Sequence, residues 1–405
     1  MKPARSLGIR VGFLIPVMRN GVNLVGNDLE KRCLLCEEFI STEIDSREHL
    51  IPNSIGGRKK VSGFLCVSCN SKSGDSWDSA LAHQMNPLNL FFRISRERGD
   101  APSQKFQTTS GREWVLNADG SLDLPKPIFK EQKNDAGVEI KISARNMAEA
   151  KKMLKGVARK YSQLNVDELL ERAKMESTYS QEPVKFNLSL GGLDAGRSFV
   201  KTALALLSTT GVSVRDCEHA IQFLKEEGSE PCFGYYYEKD LVAGRPAGIP
   251  IHCVHVNGDP DSNLIRGYVE YFGVMRVVMC LSSNYSGDAF AATYAIDPTK
   301  GEELDLSVDL DLALADLRKA YDYEKWNGKA VQQAMGAVIG PTLEKQHKEE
   351  RERVLGEAVR HALSNCGAKE GEVLTEEQYN RLMGLIWERL EPWVLNQIIS
   401  ARKHD

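Results

Sequence analysis

Nowhere does the chain run to the stretch of about eighteen apolar residues that a membrane-spanning helix needs. The opening MKPARSLGIRVGFLIPVMRNG sets Arg10 and Arg19 around only a short apolar run, so it reads as a strand rather than a leader, and cytoplasmic residence is expected. A large charge of one sign is also lacking. The 52 Lys and Arg face 56 Asp and Glu, a formal net charge of -4, which argues against a surface that coats nucleic acid all over. It leaves room for a local basic cleft, and Met1 to Asp100 hold 14 Lys and Arg against 11 Asp and Glu. A phosphate-cradling loop is missing too, because Gly191-Gly192 alone makes neither a Walker nor a dinucleotide site. The nine cysteines are odd in number with no leader before them, so a disulfide framework is not expected. What remains, 42% apolar and 27% charged, is ordinary globular protein, and 405 residues exceed what one core usually supports.

Four cysteines stand apart from the rest. Cys33 and Cys36 form one CxxC pair, Cys66 and Cys69 a second, with 29 residues between the pairs. A CxxC turn lets two sulfurs converge on one ion, and a second pair closes the tetrahedron, so a structural zinc site is expected. Cys217, Cys232, Cys253, Cys280 and Cys366 are scattered singly among apolar residues and read as small core side chains.

Between the pairs lies REHLIPNSIGGRKK, then VSGFLCVSCN. A short strand ending near His49, a Pro and Gly-Gly turn and a return strand over Val61 to Leu65 are predicted, then a helix from Asn70 to His83 with Trp77 and Leu81 inward. In these motifs residues 30 to 85 resemble the HNH endonuclease family. The resemblance implies a ββα-metal fold, a hairpin followed by a helix, with the cysteine pairs as a zinc staple outside the catalytic centre.

The resemblance implies roles for three residues. Glu48 matches the acidic ligand of a catalytic divalent cation, His49 the general base, and Asn70 the second ligand through its side-chain oxygen. The family's middle Asn, about fourteen residues beyond the base, is absent, since Ser62-Gly63 stand there. Asn53 is a candidate for orienting the base. The residue types suit the chemistry, because a divalent cation neutralises a phosphodiester and its departing oxygen, oxygen ligands hold such an ion, and an imidazole titrates near neutrality. Arg58, Lys59 and Lys60 after the glycines are candidate phosphate contacts, with a solvated charge run as the alternative.

Beyond the module, the bursts around Asn117-Ala118-Asp119-Gly120 and Asn134-Asp135-Ala136-Gly137 predict hairpins. Ser143 to Met175 reads as one or two helices, the second capped by Asp167. Phe186 to Leu190 reads as a strand, Asp194 to Leu207 and Asp216 to Lys225 as helices. Arg197 and Lys201, four apart, read chiefly as solvated helix charge. Five segments between Phe233 and Ile296 are strand-like, and His252 and His255 would face opposite sides of one strand, so they read as structural. Tyr268, Tyr271 and Phe272 read as core. From Leu310 onward helices are predicted over Leu312 to Tyr323, Lys329 to Ile339, Leu343 to Ser364 and Thr375 to Ala401, the last kinked or split at Pro392.

The expected architecture is α+β and multidomain: residues 1–100 the HNH module, 101–183 a hairpin and helical connector, 184–305 an α+β domain, 306–405 a helical region. The expected function is metal-dependent hydrolysis of phosphodiester bonds in DNA, with RNA as a further substrate class and bacterial anti-phage defence as a context. Structural Zn²⁺ and catalytic Mg²⁺ or Mn²⁺ are the expected cofactors; DNA, partner proteins of a defence system and a second copy of the chain are the expected partners. The alternative is an inactive zinc-stabilised module that binds nucleic acid or protein.

Overall fold

The computed structural model describes residues 32–134, 137–173, 179–180, 182–369 and 371–401, and the strand expected near residue 10 lies outside them. Among the described residues no helix is long and apolar enough to cross a membrane.

The N-terminal module begins as a cysteine turn in which the Cys33 N–H donates to Glu38 O at 2.8 Å. Strands β1 (Glu48–His49) and β2 (Lys60–Val61) then pair antiparallel, Glu48 opposite Val61. The return strand is shorter than predicted, because the chain bends at Gly63, at a φ of 74°, and the Asp45 carboxylate accepts the Gly63 N–H at 3.0 Å. The helix starts earlier than predicted. Helix α1 (Val67–Ser73) is capped by Cys66 and passes through a π-turn at Gly74–Asp78 into α2 (Ser79–Phe92). Ile51, Ile55, Leu65 and Leu81 are fully buried. Each contributes roughly 1.5–3 kcal/mol, too few for so small a body to stand alone without a staple.

Both predicted hairpins form. Strands β3 (Gln104–Thr108), β4 (Glu113–Leu116) and β5 (Leu122–Asp123) share a small sheet, and β6 (Ile128–Asn134) pairs with β7 (Gly137–Ser143). Helices α3 (Met147–Lys160) and α4 (Val166–Glu171) follow. Asn165, not Asp167, caps α4, its side chain accepting the N–H groups of Asp167 and Glu168. The strand expected over Phe186 to Leu190 does not form, and the pairing with β3 falls just before it, at β8 (Val184–Lys185).

Helices α5 (Leu193–Leu207) and α6 (Glu218–Lys225) precede the main sheet. That sheet contains β9 (Phe233–Tyr235), then, after the short β10 (Val242–Ala243), strands β11 (His252–Asp259), β12 (Leu264–Tyr271), β13 (Met275–Ser282), β14 (Phe290–Asp297) and β15 (Glu302–Leu304). All pairings are antiparallel, in the order β15-β14-β11-β12-β13-β9, while β10 pairs outside it with β16 (Ser307–Val308). Strand alternation sends Val254, Val256, Val269 and Val277 to one face and Cys253, Tyr268 and Val278 to the other, and both faces are covered. The first face carries α5, α6 and the N-terminal module in one continuous core, where Phe92 stacks on Phe272 at 5.6 Å.

The C-terminal region is helical as predicted, with α7 (Leu314–Tyr321) followed by two long helices. The separate helices expected over Lys329 to Ile339 and Leu343 to Ser364 are a single α8 (Gly328–Asn365) running through Pro341, and α9 (Glu376–Ala401) runs through Pro392. Helix α9 packs against α8, and Leu355, Val359 and Leu363 on one helix and Tyr379, Met383 and Trp387 on the other stay exposed at i, i+4 spacing.

Candidate active site

The four paired cysteines converge, with all their Sγ atoms within 4.8 Å of one another. A tetrahedral zinc with Zn–S bonds of about 2.3 Å has sulfur–sulfur edges of about 3.8 Å. Cys36 and Cys66 lie 3.7 Å apart, so the donor set fits a structural zinc. The Cys33 thiol, although burial opposes ionisation, is brought down to about 7 by the backbone N–H groups of Cys36, Cys66 and Leu35, whereas burial pushes the Cys69 thiol up. The five other cysteines are buried, as expected.

The Gly-Gly turn has a steric cause. A Cβ on Gly57 would lie 1.7 Å from Ile51 O, and Gly56 has a φ of 94°. Only glycine lets the chain double back here. That tight turn returns Lys60 beside His49 in the β1–β2 pair.

Strand alternation then separates Glu48 from His49. His49 is partly exposed and its Nε2 lies 2.9 Å from Glu97 Oε2. Lys60 Nζ lies 2.8 Å from the same oxygen, and bonds from Lys60 and then His49 bring the Glu97 carboxyl down to about 2. An ionised carboxylate can only accept, so Nε2 carries the hydrogen, and Nδ1 is the ring nitrogen that can take a proton. Asn53, the candidate orienting residue, acts at one remove: its Oδ1 accepts the Glu97 backbone N–H at 3.0 Å. Sequence reading missed Glu97, which lies 48 residues beyond His49 and belongs to no motif. The position of the absent hairpin Asn falls at Gly63, where Asp45 braces the backbone instead.

Glu48 points the other way and is buried, with 6% of its surface exposed. Its Oε1 accepts from Lys201 Nζ at 2.9 Å, and the same ammonium is bound by Asp78. Asp78 sits at the end of the π-turn, and its Oδ1 accepts the Ser198 hydroxyl at 2.6 Å. Burial works against the Lys201 charge, yet the Asp78 and Glu48 carboxylates outweigh it and hold the ammonium above its usual range. The sequence reading of Arg197 and Lys201 as solvated charge is therefore corrected. Lys201 is 2% exposed, and Arg197 donates to Phe223 O at 3.3 Å over the Phe223 ring. The cause is that α5 is buried on most sides, so a four-residue spacing there marks an interior face.

Asn70 lies in the second turn of α1 and is partly buried, and because Cys66 is the cap, capping does not account for it. Asparagine is a poor residue for a helix interior, and among the described residues its side chain forms no hydrogen bond. Arg58 donates to Ser95 O at 2.9 Å, Lys59 is exposed with Nζ 4.9 Å from the Tyr294 ring centre, and Lys60 is paired with Glu97.

The remaining candidates are structural. His252 is fully buried, its Nε2–H donating to Ile55 O at 2.8 Å and its Nδ1 accepting the Phe272 N–H at 3.0 Å, which ties the module to the sheet. His255 meets Thr293 Oγ1 on the opposite face. Burial takes both imidazoles down to about 4. Tyr268, Tyr271 and Phe272 are fully buried core.

Neither the curated proteins nor the solved structures contain a match to the chain. The family model for HNH endonuclease matches residues 33–86, from the first zinc cysteine into α2. With the four converging cysteines, that match identifies this segment as a module of the HNH endonuclease family.

Proposed function

We propose that the protein is a divalent-cation-dependent endonuclease that hydrolyses phosphodiester bonds in DNA. The observation that carries this reading is the β1 strand, which turns a carboxylate inward and an imidazole outward, the imidazole held by an ionised Glu97. In this reading His49 Nδ1 takes the proton of the attacking water, and Glu97 steadies the ring as it becomes charged. Glu48 and Asn70 are the residues that would hold Mg²⁺ or Mn²⁺, ions that suit oxygen donors. When bound, such a cation supplies charge neutralisation at the phosphate and its departing oxygen. Lys59, and Arg58 and Lys60 beside it, would meet the phosphate backbone.

One centre cuts one strand. The exposed apolar stripes of α8 and α9 favour a homodimer, which would bring a second centre to the other strand. A nuclease under the control of a large second domain also suits anti-phage defence, which plaque counts with wild-type and His49→Ala genes would test. The alternative, an inactive binding module, is favoured by one observation, the Lys201 ammonium already seated on Glu48.

The test incubates zinc-loaded protein with supercoiled plasmid, single-stranded DNA and RNA, each with Mg²⁺, Mn²⁺ or chelator. Cation-dependent nicking or linearisation of plasmid is expected. Binding without cleavage under every condition would favour the inactive module, and cleavage of RNA alone would overturn the DNA assignment.

A further inference from the structure

Lys201 reaches the centre from outside the segment matched by the family model, across 153 residues of chain. It is carried on a helix that packs beneath the main sheet and against the π-turn, so its ammonium is fixed by the larger domain rather than by the module. A buried lysine surrenders its hydration and its rotamer freedom, and a whole buried ion cluster replaced by apolar side chains of similar volume often costs no stability, so stability alone does not call for one here. Here the ammonium has two carboxylates, Glu48 and Asp78, both largely buried, and Asp78 is itself fixed by Ser198. Two carboxylates and one ammonium leave the cluster one negative charge in excess. It is attractive to a further cation, yet partly screened by the one it holds.

We propose that Lys201 is a positioning residue of the nuclease centre, an internal counter-cation that holds Glu48 in place and competes with a divalent cation for its carboxylate. The proposal rests on the reading of Glu48 as a cation ligand. Its consequence is that the affinity of the N-terminal module for its catalytic cation is set by α5, so any movement of that helix changes the affinity. Asp78 tunes the effect by sharing the ammonium. With Asp78 neutralised the full charge of Lys201 falls on Glu48, whereas with Lys201 neutralised both carboxylates face the cation unopposed. The two changes therefore act in opposite directions, which a purely structural ion cluster does not require.

The experiment measures Mn²⁺ binding by electron paramagnetic resonance to zinc-loaded, full-length protein, comparing wild type with Lys201→Met, Asp78→Asn and Glu48→Gln. Melting temperature is followed against Mn²⁺ in the same samples. Lys201→Met is expected to bind Mn²⁺ at least tenfold more tightly than wild type and to melt lower in chelator, with Mn²⁺ restoring the difference. Asp78→Asn is expected to bind at least threefold more weakly, and Glu48→Gln to lose the site alone or combined with Lys201→Met. Equal affinity in wild type and Lys201→Met, or shifts of the same sign in the Lys201 and Asp78 variants, would overturn the proposal. Should Lys201→Met fail to fold, Asp78→Asn decides, since unchanged or tighter binding there overturns it. Plasmid cleavage lost in Glu48→Gln with Mn²⁺ affinity unmoved by Lys201 would sink this inference alone. Cleavage that survives Glu48→Gln, with Mn²⁺ binding unchanged in that variant, would sink it together with the reading of Glu48.

Discussion

Acidification should loosen the N-terminal module from the main sheet well before carboxylates titrate, because the histidine that joins them is held neutral. His252 gives its Nε2–H to Ile55 O and accepts the Phe272 N–H at Nδ1, and a protonated ring could make only the first of these bonds. Its folded pKa is about 4 against an ordinary 6.5, and His255 is depressed to the same degree. Between those values the unfolded chain binds protons that the folded chain does not, so stability is full above about pH 6.5 and falls as the pH drops toward 4. At 1.36 kcal/mol per pH unit, going from pH 6.5 to 5 costs about 2 kcal/mol for each histidine, or about 4 kcal/mol together. That is a large share of a typical folding free energy of about 5–15 kcal/mol. Urea unfolding followed by tryptophan fluorescence at pH 7, 6 and 5 reads the loss, Trp77 being packed against the shared core. His252→Gln keeps a donor and an acceptor but does not titrate, and combined with His255→Gln it should remove most of the pH dependence in this window. A double variant that loses as much stability as wild type between pH 7 and 5 would refute the reasoning.

Three further outcomes follow from the site. Glu97→Gln replaces a charge-assisted hydrogen bond to His49 with a neutral one, so single-turnover nicking should slow about fivefold while the melting temperature stays put. Gly57→Ala places a Cβ on Ile51 O, and the displaced turn should cost more than about 3 kcal/mol, read as loss of soluble folded protein or a sharp fall in melting temperature. Elemental analysis should find one zinc per chain, and Cys69→Ser should lose it together with cleavage, even in excess Mg²⁺, because the staple supports the strand that carries Glu48 and His49.

Much of the module was legible because its constraints are local. Two CxxC pairs can converge only if the chain between them folds back, and Pro52, Gly56 and Gly57 mark where it does. The main sheet was legible for a related reason: runs such as Val277 to Leu281 are apolar on both faces, as a strand buried between two layers must be. The errors fall where tertiary contacts override local pattern. Lys329 to Ile339 and Leu343 to Ser364 read as two helices and Pro392 as a kink or split, yet one helix spans Gly328–Asn365 through Pro341 and another spans Glu376–Ala401 through Pro392. Phe186 to Leu190 had the composition of a strand but no partner to pair with beyond Lys185. At the candidate site, the missed residues are those supplied from far along the chain. Glu97 and Lys201 are ordinary charged residues in sequence, and only the fold brings one to His49 and the other to Glu48. No spacing rule links residues 48 and 201.

The central claim, that the outward imidazole of β1 is the base of a nuclease, is tested most directly by plasmid cleavage with His49→Ala, in Mg²⁺, beside wild type matched for zinc content and melting temperature. Loss of at least a hundredfold in the cleavage rate, with both matched properties unchanged, is the expected result. Cleavage at the wild-type rate by that variant would contradict the account.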